Sequence, residues 1–160
     1  MELSAIEIAK PADSNVIIGQ AHFIKSVEDL YEAVITAVPG VKFGLAFCEA
    51  SGPCLIRHTG TDAELEGAAV RAAEAIGAGH VFVIILGNIF PINVLNQIKS
   101  VGEVCTVFCA TANDVRVIVA GESGARGVIG VIDGSAPKGV ESERDQEERR
   151  SMLRRFGYKQ

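Results

Sequence analysis

Apolar residues recur along this chain in two rhythms, and each switch between them marks the border of an element. Alternation over residues 3–9 reads as a half-exposed strand, and the turn at Pro11, Ala12, Asp13 and Ser14 leads into a second apolar run at 16–18. The period then lengthens. Val27, Leu30, Tyr31, Val34 and Val38 form one helical stripe that ends near Pro39 and Gly40, and Ser26 followed by Asp29 predicts a capping box at its start. Two strands, Phe43–Cys48 and residues 54–57, flank a short turn and predict a hairpin. Thr61 or Asp62 caps an alanine-rich helix over Ala63–Ile76, which Gly77, Ala78 and Gly79 close.

Residues 80–86 are almost continuously apolar, as in a strand buried on both faces. Pro91 suits the first turn of a short helix over 92–99. Three β-branched runs follow, at 103–110, 115–120 and 128–132, separated by turns. The order predicts a layered α/β or α+β fold: a single domain over residues 1–160 with a mixed β-sheet and about four helices. From Lys138 onward charges crowd in, so a charged helix at about 141–156 faces solvent.

Composition narrows the function classes. With 160 residues and 48% hydrophobic content the chain can bury one sizeable core. The net charge of −5 argues against a nucleic-acid scaffold, which would carry a basic face. No apolar run reaches the roughly 18 residues of a membrane span, and the first residues do not read as a signal peptide, so a cytoplasmic protein is expected. Cys105 and Cys109 share a strand at even spacing and read as small core residues. Cys48 and Cys54 flank the hairpin turn, where a disulfide is not expected in a reducing compartment. The histidines at 22, 58 and 80 form no metal-binding spacing.

The candidate chemistry lies at the strand ends. His22 follows one strand and precedes a helix start, where free N–H groups favour an anion. A neutral imidazole there is a general base or a nucleophile toward phosphorus, although a histidine bonded to its own turn is the plainer reading. His80 opens the most apolar strand and is the alternative. Lys25 and Arg126 are the candidate anion ligands outside the tail. Glu49, Asn113 and Asp133 end or follow strands and could share a rim with His22, and Gln20 stands two residues before it. Neither GxxxxGK[ST] nor a strand-borne GxGxxG occurs, so a triphosphate cradle of the usual kind is absent.

Several stretches together carry a resemblance: GQAHFIKSVEDL, GLAFCEASG, Gly77 through His80, PINVLNQIK, EVCTVFCATAN, GARGVIGVIDG and LRRFGYK. In this order, over nearly the whole chain, they resemble the adenosine-specific kinase family. The resemblance implies a small protein that binds adenosine and AMP, with a histidine that carries a phosphoryl group. His22 and His80 both match recurring family positions, and His22 is the first choice because Lys25 and the helix start stand beside it.

On that basis the expected function is phosphoryl transfer through a phosphohistidine. His22 and Lys25 carry the catalysis, and Gln20, Glu49, Asn113, Arg126 and Asp133 hold the ligand, with His80 as the second candidate for phosphorylation. The expected ligand is adenosine or AMP, with no metal and no further cofactor. The expected partners are a small nucleoside or nucleotide and other copies of the chain, with neither nucleic acid nor membrane. The alternative is an adenosine- or AMP-binding or sensing module without turnover, whose phosphorylated histidine acts as a switch.

Overall fold

The computed structural model describes residues 1–160 and contains eight strands and four α-helices. Strands β2 (Asn15–Ala21), β3 (Phe43–Cys48), β4 (Ile56–Gly60), β5 (Val81–Leu86) and β6 (Val104–Thr111) form one sheet in the order β4-β3-β5-β2-β6. Strands β1 (Glu2–Glu7), β7 (Val115–Glu122) and β8 (Ala125–Asp133) form a second, in the order β1-β7-β8. The α+β reading holds. The single mixed sheet does not appear: there are two sheets, and every strand pair is antiparallel. The reason is non-local, because β1 crosses to β7 instead of continuing through the Pro11 turn into the sheet of β2.

Both faces of the five-stranded sheet are covered, and the parity of β5 shows how. Val81, Val83 and Ile85 point into one core with the alanines of α2 (Ala63–Ile76) and with Val115, Val117 and Val119 of β7. Phe82, Ile84 and Leu86 point into the other, with Leu30 and Val34 of α1 (Ser26–Ala37) and Ile98 of α3 (Leu95–Lys99). Hence β5 reads as an unbroken apolar run. Helix α2 lies close to the sheet because its inward residues are mostly alanine and because Gly44 has no side chain. A Cβ on Gly44 would run into the backbone of Leu65 and Glu66.

Asp62 caps α2 as expected, accepting from the amides of Glu64 and Leu65 at 3.1 Å each. Ser26 does not cap α1. It is the first helical residue, buried, and its hydroxyl donates to the Phe23 carbonyl at 2.7 Å. In the reading of β6 one detail changes: Cys109 is buried but Cys105 is exposed. The register against β2 skips Phe108 and then Cys105, so two one-residue bulges break the even spacing of the thiols. None of the four cysteines forms a disulfide. No helix is long and apolar enough to cross a membrane.

Candidate functional site

Where the α2–β5 corner meets the β3–β4 loop and the tip of the β7–β8 hairpin, the surface opens into a cleft of about 600 Å³. That size suits a small organic ligand. Gln20, Glu49, His80 and Arg126, all singled out in the sequence, line it together. The sequence reading missed Glu74, the loop residues Cys54 and Leu55, and the hairpin residue Ala125. Only the run of glycines at 77, 79 and 124 hinted at walls built from close backbone.

His80 is held by its backbone. Its N–H donates to the Cys48 carbonyl at 2.7 Å, and its carbonyl accepts from the Ala21 amide at 2.9 Å, so it is tied to β3 and β2 at once. Its φ is +65°, the left-handed region that non-glycine residues rarely enter, at a cost of roughly 1 kcal/mol. The ring stacks on Phe47, with centroids 5.9 Å apart and planes at 19°. Gly79 permits the corner, since a Cβ there would sit 2.8 Å from the Cβ of Ala50. A reactive side chain held in a strained backbone at a cleft wall is a common sign of function.

The neighbouring polar groups have defined states. Glu49 accepts from the Leu55 amide at 2.8 Å and from Arg57 at 3.0 Å. These contacts, the Leu55 N–H foremost, hold its carboxyl below the usual range, so it is an anion at neutral pH. Cys48 is the opposite case: burial pushes its thiol up to about 11, which removes it as a nucleophile. Arg126 donates to the carbonyls of Ala75 and Ile76 at 3.1 and 3.4 Å and so caps the C-terminus of α2. The cleft therefore presents two carboxylates, Glu49 and Glu74, and one arginine already engaged by the helix end.

The other sequence candidates lie elsewhere. His22 is exposed just past the end of β2, outside the cleft, with its amide bonded to the Glu103 carbonyl at 3.0 Å. Lys25 is paired with Asp29 at 2.7 Å and lies 3.7 Å from Glu103, a buried carboxylate. The hydrogen bond with Asp29 raises the lysine and lowers the aspartate. Asp29 reaches Lys25 and not Ser26, so the expected anion site at this helix start is occupied by the protein's own carboxylates. Asn113 and Asp133 are bonded to each other at 3.0 Å, and Thr111 donates to the same Asp133 oxygen at 2.8 Å. Asp133 and Arg126 stand near opposite ends of β8, about 20 Å apart at roughly 3.3 Å per residue.

Comparison with known proteins gives this corner a context. The family model described as adenosine specific kinase matches residues 6–159. The chain belongs to that family. It is also similar to the PH1918 protein of Pyrococcus horikoshii OT3, whose crystal structure aligns with a TM-score of 0.95. The two are 48% identical over 99% of this chain and 98% of that one. No curated protein matches the chain. Membership of the adenosine-specific kinase family directs attention to a nucleoside ligand, and the cleft at His80 is the concavity that gathers half of the polar candidates, Gln20, Glu49, His80 and Arg126.

Proposed function

We propose that this protein binds adenosine and AMP in the cleft beside His80, and that His80 carries a phosphoryl group between a donor and the nucleoside. The observation that supports it is the placement of His80: a stacked imidazole in a strained backbone, on the wall that also holds Gln20, Glu49 and Arg126. The sequence alone favours His22, but the Lys25 group that recommended it is paired with Asp29.

The chemistry runs in two displacements. A neutral ring nitrogen of His80 attacks the phosphorus of a phosphoryl donor, and the P–N bond forms as the donor's P–O bond breaks. The donor oxygen leaves with the bonding pair, and the imidazolium releases a proton to solvent. The 5′-hydroxyl of adenosine then attacks the same phosphorus. The P–N bond breaks, the hydroxyl proton passes to the ring nitrogen, and AMP is formed. Glu49, held as an anion, accepts hydrogen bonds from ribose hydroxyls, and Gln20 offers a donor and an acceptor to the adenine edge.

A second reading is binding without turnover, the phosphohistidine serving as a mark. One observation favours it: Arg126, the cleft's cation, is engaged by the carbonyls of α2, which leaves less charge to neutralise a transferring phosphoryl group. Turnover separates the two. Adenosine is incubated with candidate donors of the acyl phosphate, enol phosphate and nucleotide classes, and AMP is measured against a His80→Ala control. AMP above the control supports transfer. Nucleoside binding and an acid-labile added phosphate, without AMP, support the mark. A protein that neither binds adenosine nor becomes labelled would overturn both.

A further inference from the structure

Helix α4 (Glu143–Arg155) is the one long helix with no buried residue. Its end and the residues after it are amphipathic and basic. Residues 151–160 contain Arg154, Arg155 and Lys159 and no acidic side chain, with Met152, Leu153, Phe156 and Tyr158 between them. The earlier arginines of the helix have carboxylate partners, Arg144 in Glu148, Arg149 in Glu141 just before the helix and Arg150 in Glu147, whereas Arg154 reaches only a backbone carbonyl. Met152, Phe156 and Tyr158 are 38, 64 and 48% exposed. An apolar, cationic helix end with nothing packed on it calls for an apolar surface of opposite charge.

Such a surface lies along the free edge of the five-stranded sheet. The groove between α1 and the edge strand β4 has Val27, Tyr31 and Ile35 in its floor, and it continues past Ile24 and Leu55, which are 39 and 50% exposed. Glu28 and Glu32 line the same groove one helical turn apart on α1, and the groove's basic side chains, Arg57 and His58, are already bonded to Glu49 and Glu66, which leaves the two α1 carboxylates without a cation. Like charges at that spacing repel, and a cation placed between them removes the cost. Leu55 and Ile56 also line the His80 cleft, so groove and cleft are neighbours that share this wall.

We propose that residues 151–160 of one copy seat in the α1–β4 groove of a second copy of this chain. Met152 and Phe156, one turn apart, cover Ile24 and Leu55, while Arg154, Arg155 and Lys159 lie against Glu28 and Glu32. The occupant is a second copy because acidic groove and basic tail are complementary and occur on the same molecule without meeting in it. The contact also brings cations to the rim of a cleft that has two carboxylates of its own. That last consequence, and only that one, rests on the cleft being the nucleotide site.

The test is the mass of the full-length protein in solution, measured by light scattering across a concentration series. The wild type is expected to be oligomeric. Glu28→Lys with Glu32→Lys, and separately Arg154→Glu with Arg155→Glu, should each raise the dissociation constant at least about tenfold. Mixing the two variants, in which the charges are exchanged, should restore association. A monomeric wild type would overturn the proposal. So would an oligomer whose mass neither pair of substitutions changes, or tail variants that dissociate while the groove variants and the mixture do not behave as described. Far-ultraviolet circular dichroism of each variant establishes that the fold is intact, and the mixing result does not depend on any truncation. AMP and adenosine affinities are read separately: loss of association with both affinities unchanged upholds the docking and removes its link to the cleft.

Discussion

The β2–α1 junction and the α2–β5 junction look alike in the sequence and behave differently in the fold. Each sets a histidine between a strand and a helix with glycine nearby, and only the first has a cation close in sequence, Lys25. At the first, Lys25, Asp29 and Glu103 pair with one another, Ser26 turns its hydroxyl to Phe23, and His22 faces open solvent. At the second, a left-handed backbone presents His80 to a cleft walled by three separate loops. The difference teaches that a reactive side chain is defined by the chain segments that converge on it. Its own neighbours in sequence say little about that convergence.

The largest expected effect breaks the comparison outright. His80→Ala should abolish acid-labile phosphorylation, read by intact mass, and lower any adenosine phosphorylation at least about a thousandfold. His22→Ala should leave both within about twofold, as for surface changes away from a site. The reverse pattern would return the phosphoryl group to the first junction.

Next comes pH. The folded carboxyl of Glu49 is held below its ordinary value of 4.5, so its contribution to stability is present above that value and is lost as pH falls through the lower folded one. Adenosine affinity should therefore be flat from pH 7 to 5 and fall below about 4.5, by about tenfold once the carboxylate is neutral. Glu49→Gln should show the weaker affinity already at pH 7, with no further drop. Calorimetry across the series checks this.

A smaller effect tests the strain. His80→Gly should melt higher than His80→Ala, by the equivalent of about 1 kcal/mol, because glycine enters the left-handed region without a Cβ penalty. Equal melting points would mean that the corner imposes no backbone cost.

Lys25→Ala sharpens the comparison by doing least. Nucleoside affinity and label lifetime should stay within about twofold of wild type, since the lysine is exposed and paired away from the cleft. Melting should still fall, because Glu103 is 7% exposed and loses the only cation near its carboxylate.

Much of the fold was legible in the sequence because its signals are local. The period of α2, its Asp62 cap and its Gly77 stop give the bounds observed, and the apolar run of β5 announces a strand covered on both sides. Apart from the β3–β4 hairpin, which the turn between the two runs announces, the strand partners were not legible. Nothing near residues 2–7 indicates that they pair with β7, and nothing in the spacing of Cys105 and Cys109 reveals two bulges. The site shows the same division. Gln20, Glu49 and His80 were found one at a time as polar groups at strand ends and Arg126 as a candidate anion ligand, and the fold brings them together. Asn113 and Asp133 met the same criterion, but they fasten the far end of β8 to Thr111.

The pairing of β1 with β7 also has a consequence in time. Residues 2–7 must wait for residues 116–121 before they find a partner, whereas β7 and β8 meet across a tight turn. Closing so long a loop is slow compared with closing a hairpin. During synthesis on the ribosome β1 emerges well before β7 and is therefore among the last strands to settle. Until then β7 offers an open edge, and the nascent chain depends on its five-stranded half to hold it together.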